Sequence, residues 1–173
     1  MNGRPLGWEA TADSFVRMEE EVALLLGADL GDPPKQLERA QALIGDRVGT
    51  IVARSRDHWT RPWGFESTTL FLNVVLVVRT GRSATAVLSE CSAIEHELGR
   101  RRSPGGMLTS RVIDIDILLF GRTVIHEPTL QVPHPRMHVR RFALAPLADV
   151  LPSWHHPELH RTVLDLLHAA PRT

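Results

Sequence analysis

Arg111-Val112-Ile113-Asp114-Ile115-Asp116-Ile117-Leu118-Leu119 is the stretch on which the reading of this 173-residue chain turns. Successive side chains of a β-strand point to opposite faces. The alternation therefore predicts a strand over Val112 to Phe120, with Ile113, Ile115, Ile117 and Leu119 on a core face and Asp114 and Asp116 together on the other. Carboxylates two residues apart on a strand have Cα atoms about 6.6 Å apart and can converge on a cation. Hard oxygen ligands favour Mg²⁺, and two of them leave open positions of the kind a nucleotide's phosphates complete. The competing reading of a bare Asp-x-Asp is a strand edge whose charges resist pairing with another sheet.

The flanking residues weigh against the edge reading. Arg100, Arg101 and Arg102 precede the acids, and His134, Arg136, Arg140 and Arg141 follow them. Between residues 100 and 141 eight arginines face Asp114, Asp116 and Glu127, a local excess of five positive charges in a chain whose 20 basic and 20 acidic residues cancel. The neutral total disfavours a general polyanion binder, so no nucleic-acid partner is expected. The local excess suits one compact polyphosphate, because planar guanidinium groups pair bidentately with phosphate oxygens and stay charged. Arg100, Arg102, Arg111 and Arg140 carry that reading as a group, whereas Arg101 and Arg136 read as solvated loop. No Gly-x-x-x-x-Gly-Lys-Ser/Thr occurs, which excludes a P-loop as the phosphate cradle.

Length and composition leave room for one substantial domain. The single cysteine, Cys91, excludes intrachain disulfides and a cysteine-built zinc site. No apolar run approaches the roughly 18 residues that cross a bilayer, and a soluble, cytoplasmic protein without a membrane partner is expected. Residues 1–19 read as an N-terminal extension without a role, and residues 20–170 as a single domain, catalytic on the resemblance described below. Within it the periodicities predict a strand over Glu21 to Leu26 and a helix through Leu37, Ala40 and Ile44 that stops at Gly45. A strand over Val48 to Ala53 follows, then an irregular Ser55 to Glu66, then a central strand over Leu70 to Arg79. Ser83 caps a second helix that ends at Gly99, Arg100 to Thr109 reads as a loop, and Thr123 to Ile125 as a hairpin arm returning after the acidic strand. Arg141 to Leu147 and Thr162 to His168 read as short helices. Strand, helix, strand, strand, helix, strand is an α+β pattern with helices packed on a sheet.

Asn73 interrupts the most apolar strand. A buried carboxamide needs partners or costs about 1 to 3 kcal/mol, and it offers both a donor and an acceptor, as a pterin or purine edge requires. Phe71 lies two residues away on the same face, and Phe142 follows Arg140-Arg141, so a flat ring could stack between them. Cys91 and Trp154 read as structural.

Six blocks in order now resemble one family. They are Thr60-Arg61-Pro62-Trp63-Gly64; Phe71-Leu72-Asn73; Ile94-Glu95 with Gly99-Arg100-Arg101-Arg102; Arg111 to Gly121; Leu130-Gln131-Val132-Pro133-His134-Pro135-Arg136; and Arg140-Arg141-Phe142-Ala143-Leu144-Ala145-Pro146-Leu147. From about Val22 to Trp154 the chain resembles the 6-hydroxymethyl-7,8-dihydropterin pyrophosphokinases. The resemblance implies a ferredoxin-like α+β fold with a mainly antiparallel sheet. It also implies transfer of diphosphate from ATP to the pterin hydroxymethyl group, with release of AMP, in folate biosynthesis. On it, Asp114 and Asp116 would hold two Mg²⁺ ions, and Arg100, Arg102, Arg111, His134 and Arg140 would clamp phosphates. Glu95 and Ile117 would border the nucleotide. Asn73 would bond the pterin edge, Phe71 and Phe142 would sandwich its ring, and Thr60 with Pro62 would line its pocket. A monomer is expected, with a dimer as the alternative.

The chain also departs from the family pattern. Gly27-Ala28-Asp29-Leu30-Gly31 replaces a usual Gly-Ser-Asn-Leu-Gly, His58 replaces an aromatic, and Thr68 a Gln. Met107-Leu108-Thr109-Ser110-Arg111 replaces Arg-Trp-Gly-Pro-Arg, which removes an indole from a loop that closes over the substrates. That loss is expected to weaken closure without removing the metal site. The alternative reading is a divergent nucleotide- or pterin-binding paralogue with little turnover. A metal-dependent nuclease would use the acids and arginines but would leave Asn73 and the phenylalanines without a role.

Overall fold

The computed structural model describes residues 19–62, 64, 68–101 and 110–171. The expected extension up to residue 18, Trp63, Arg102 and Met107 to Thr109 lie outside the described residues. In chain order the elements are β1 (Glu20–Ala28), α1 (Pro33–Arg47), β2 (Thr50–Arg54), β3 (His58–Thr60), β4 (Phe71–Thr80), α2 (Ala84–Glu97), β5 (Asp114–Phe120), β6 (Ile125–His126), β7 (Gln131–Val132), a 3₁₀ turn (Met137–Val139), α3 (Arg141–Val150) and α4 (Val163–Ala169). The main sheet is antiparallel in the order β2-β4-β1-β5, with β3 also paired to β4. This is the α+β arrangement that the element order predicts, in the ferredoxin-like form that the resemblance implies.

The two central strands, β1 and β4, are apolar without alternation because helices cover both sides of the sheet. Val22, Leu24 and Leu26 of β1 and Leu72, Val74, Leu76 and Val78 of β4 pack under α1 and α2, through Leu37, Ala40 and Ile44 and through Val87, Cys91 and Ile94. Ala23, Leu25 and Val75 face the other way, against Met137, Ala143, Leu144 and Leu147 and against Val163 and Leu166 of α4. Burial pushes the Cys91 thiol up to about 12, which fits a packing role.

Four sequence expectations shift in detail. Helix α1 runs past Gly45 to Arg47 and ends where the Val48 and Gly49 amides both donate to the Ile44 carbonyl. A mid-helix glycine costs about 1 kcal/mol, and the burial of Ile44 and Val48 outweighs it. The irregular Ser55 to Glu66 contains β3, which continues the line of β2 along the same edge of β4. Ser55 bridges the two strands, its amide donating to the Val75 carbonyl and its Oγ accepting from the Val75 amide, each at 2.9 Å. The arm after β5 does not fold back on it: Ile125 and His126 pair with Val132 and Gln131 in a separate ribbon. Finally, Leu119 leaves the isoleucine face. A register shift opposite Ala23 and Leu24 places Leu118 and Leu119 both on the α3/α4 side and returns Phe120 to the α1/α2 side. This is the behaviour of a β-bulge.

Gly49 tests this register. A Cβ there would lie 2.2 Å from the backbone carbonyl oxygen of Arg79, which cannot move without breaking the sheet. Gly49→Ala is expected to cost about 1–3 kcal/mol, read as a lower thermal midpoint of about 2–4 °C per kcal/mol. An unchanged midpoint would contradict the β2–β4 pairing.

Candidate active site

The pairing of β1 with both neighbours places Asn73, Gly27 and Asp114 in one row across three strands, since Gly27 is in register with Asn73 on one side and Asp114 on the other. Leu25 sits one step down, opposite Val75 and Asp116. Leu25 and Val75 still pack against the α3/α4 layer; Asn73, Gly27 and Asp114, on the same face, lie beyond the end of that apolar packing, and a cavity opens there. With no side chain at its centre, Gly27 forms the floor. A Cβ on it would lie 3.2 Å from Oδ1 of Asn73.

Ten of the residues singled out from the sequence line this one cavity. Thr60, Phe71, Asn73 and Phe142 occupy one part, and Arg100, Arg111, Asp114, Asp116, His134 and Arg140 the other. Leu25, Gly27, Arg61 and Arg136 complete the lining. Arg136, read from sequence as solvated loop, therefore borders the site, and so does Arg61. Pro62 does not line the cavity. The Ile117 side chain packs in the α1/α2 core, as its alternation with Asp116 requires, so only its backbone could face a ligand. Arg102 is outside the described residues.

Asn73 is buried, and its Nδ2 donates to Thr60 Oγ1 at 2.8 Å and to the Phe71 carbonyl at 3.4 Å. Its Oδ1 is the atom nearest the space above Gly27. Each phenylalanine carries an arginine: the Arg111 guanidinium carbon is 6.0 Å from the Phe71 ring centre, and that of Arg140 is 5.7 Å from Phe142. These are cation–π separations, and they join the ring-lined and the charged parts of the cavity.

The electrostatics centre on the two acids. Arg100 Nη1 pairs with Asp114 Oδ1 at 2.6 Å, and Arg111 pairs with Oδ2 of the same carboxylate. Asp116 is raised above the usual carboxylate range, first by burial and then by the charge of Asp114, against the pull of Arg140, Arg100 and Arg111. A buried carboxylate destabilised by its twin is an electron-rich site that a cation relieves. Among the described residues no group of three or more His, Cys, Asp or Glu could hold a metal ion. Two carboxylates leave most of a hard cation's coordination positions to other ligands. His134 is brought down to about 4, by burial first and then by Arg140 and Arg136, so its imidazole is neutral near pH 7.

Two further carboxylates support this arrangement from behind. Glu95, buried on α2, accepts from the Ile115 amide at 2.6 Å and pairs with Arg100. It thereby ties the end of α2 to the start of β5, and burial raises it above the usual carboxylate range against the opposing pull of Arg100. Asp29, noted in the sequence only as a departure from a pattern, accepts from the Arg111 amide at 2.6 Å and from Thr69 Oγ1 at 3.0 Å. It fixes the residue at the head of β5 to the approach to β4. No local spacing marks this function, because its partners are 82 and 40 positions away.

A family model described as 7,8-dihydro-6-hydroxymethylpterin-pyrophosphokinase matches residues 23–152. A protein of Porphyromonas gingivalis named 2-amino-4-hydroxy-6-hydroxymethyldihydropteridine pyrophosphokinase is 45% identical over 139 residues, covering 79% of this chain and 94% of that protein. One of the same name from Bacillus subtilis is 38% identical over 128 residues, covering 73% and 75%. Among solved structures, an HPPK-DHPS in complex with substrates superposes with a TM-score of 0.72 at 16% identity, over 87% of this chain and 43% of that one. Wild-type Plasmodium falciparum HPPK-DHPS gives 0.71 at 18% identity, over 90% and 45%. This chain thus spans less than half the length of those two structures, which share its fold. The match over residues 23–152 and the identity to full-length relatives establish that the chain belongs to the 7,8-dihydro-6-hydroxymethylpterin-pyrophosphokinase family.

Proposed function

We propose that this protein transfers the diphosphate of ATP to the hydroxymethyl group of 6-hydroxymethyl-7,8-dihydropterin, releasing AMP; its relatives are named pyrophosphokinases of a hydroxymethyldihydropteridine. The observation that carries the reading is the row Asn73–Gly27–Asp114. Two inter-strand spacings, about 9.6 Å, separate a carboxamide suited to a heterocycle edge from the acid pair suited to a metal-bound phosphate. Gly27, with no side chain, lies between them in the row. A nuclease would have no use for Asn73 and the two phenylalanines in the same cavity. The matched relatives carry an enzyme's name, which gives the binding-only alternative no support.

In this reading Asn73 and Thr60 fix the ring in its plane, and Phe71 and Phe142 press on its faces. That orientation aims the hydroxymethyl oxygen toward the charged half of the cavity. Arg100, Arg111 and Arg140, with neutral His134 as an uncharged donor, hold the triphosphate and spread its charge as the oxygen attacks the β-phosphorus. Magnesium bound at Asp114 and Asp116 would supply further neutralisation of the phosphate oxygens. Arg100 and Arg111 already point at the acids, so exchanging Asp114 for phosphate oxygens moves them little. Glu95 and Asp29 hold those arginines and the head of β5 in place. No residue of the described cavity is set up as a dedicated general base, and positioning with electrostatics supplies the catalysis.

Incubation of purified protein with ATP, Mg²⁺ and the hydroxymethyl-dihydropterin is expected to yield AMP and the diphosphorylated pterin; no AMP above a no-protein control would refute the reading. Asp114→Asn and Asp116→Asn are each expected to lower Mg²⁺-dependent turnover by about 10²-fold or more, with an unchanged circular dichroism spectrum. Full activity in either would refute the metal assignment.

Because Asp116 keeps its proton above the usual carboxylate range, protons and metal compete for it. Turnover at limiting Mg²⁺ should fall as the pH drops through that range, and raising Mg²⁺ should move the fall to lower pH. A fall indifferent to Mg²⁺ would exclude Asp116 as its source. Asn73→Ala is expected to raise the pterin KM by about 10- to 100-fold and to leave the KM for ATP alone; equal effects on both would remove Asn73 from the ring site.

A further inference from the structure

Helix α3 meets the sheet twice on one face. Phe142 in its first turn and Asp149 seven residues later are two helical turns apart, about 10 Å along the axis, and point the same way. Phe142 reaches the cavity. Asp149, only 15% exposed, takes four hydrogen bonds from the segment that leads into β3. They come from the Arg56 amide at 3.1 Å, Arg56 Nε at 3.2 Å, Arg56 Nη2 at 2.7 Å and His58 Nε2 at 2.8 Å. The Arg56 bonds lead in holding its carboxyl well below the usual range, so it is an ionised acceptor and His58 Nε2 is the donor.

The other end of this contact leads to the ring-binding wall. His58 and Thr60 alternate onto one face of β3, and β4 pairs them with Asn73 and Phe71 respectively. Thr60 Oγ1 accepts from Asn73 Nδ2. Strand β3 is three residues long and among the described residues pairs only with β4, so its own ladder gives it little rigidity. One strut therefore crosses the gap between α3 and β3, Asp149 with His58 and Arg56; at the other end of the same gap is the cavity lined by Phe142, Thr60 and Asn73.

We propose that Asp149 is a positioning residue that sets the width of the pterin pocket by tying β3 to α3 through His58 and Arg56. The inference rests on the pterin reading given above. Asp149 acts on the ring and not on the acid pair's side of the cavity, because there Arg100 is held by Glu95, the Arg111 amide by Asp29, and Asp114 by those two arginines.

The test compares Asp149→Asn, His58→Ala, His58→Gln and Arg56→Ala with the unaltered chain, measuring KM for pterin and for ATP with the other substrate saturating. Asp149→Asn keeps the size but turns an amide donor toward two donors. His58→Gln keeps an N–H able to reach the same oxygen. Arg56 is 82% exposed, so its truncation removes two of the four bonds without opening the core. Asp149→Asn and His58→Ala are expected to raise the pterin KM about tenfold and to change the ATP KM by less than about twofold. Arg56→Ala should raise the pterin KM by a smaller factor, and His58→Gln should restore most of what His58→Ala loses. Equal rises in both KM values, an unchanged pterin KM, or a His58→Gln no better than His58→Ala would each overturn the proposal. Should Asp149→Asn fail to fold, the two His58 variants decide. An unaltered chain without turnover overturns the functional reading and this inference together, whereas active variants with unchanged pterin KM overturn this inference alone.

Discussion

On a sheet covered by helices on both faces, a missing side chain leaves space between the layers, and in this protein Gly27 provides it at the cavity. Its neighbours in the β1 row are Asn73 and Asp114, and the α3/α4 layer has already lost its apolar contacts there. The rest of the site is arranged around that opening. Strand β4 delivers Phe71 and Asn73, β5 the acids, and the start of α3 closes the third side with Phe142. The constraint also accounts for the two supporting carboxylates. Elements that meet at the edge of a cavity lack the packing that holds them elsewhere, and Glu95 and Asp29 replace it with hydrogen bonds to the Ile115 and Arg111 amides.

Much of the site was legible in the sequence because its signals are violations of local pattern. Asp114 and Asp116 break an isoleucine alternation with its own period, so the strand and the face they share follow from one observation. Asn73 breaks an apolar run, and burial of its amide demands a partner, which the structure supplies in Thr60. The arginines stood out by placement rather than number. The same alternation already contained the warning about Ile117: a residue between two cavity-facing positions on a strand faces the core.

What was not legible depends on distance along the chain. Asp149 is an ordinary helix acid until β3 arrives from 91 and 93 positions away. Asp29 looked like a lapse in a motif and is a two-armed acceptor between loops. Arg136 and Arg61 carry no mark that separates a cavity-lining arginine from a solvated one. The pairing of Ile125–His126 with Gln131–Val132 was missed because two-residue strands have no periodicity to read. The bulge at Leu118 was missed because Ile-Leu-Leu offers equal apolarity on both faces.

That bulge divides β5 into two halves with separate phase. Ahead of it, even-numbered residues face the cavity and odd-numbered ones the α1/α2 core; behind it the parity is reversed, with Leu119 under α3 and Phe120 under α1 and α2. One residue inserted ahead of Leu118 would turn the acids into the core yet leave Leu119 and Phe120 seated, and one inserted after it would do the opposite. The strand therefore has no single reading frame. Its first half is locked to the chemistry and its second to packing, and sequence change can accumulate in either without being transmitted to the other.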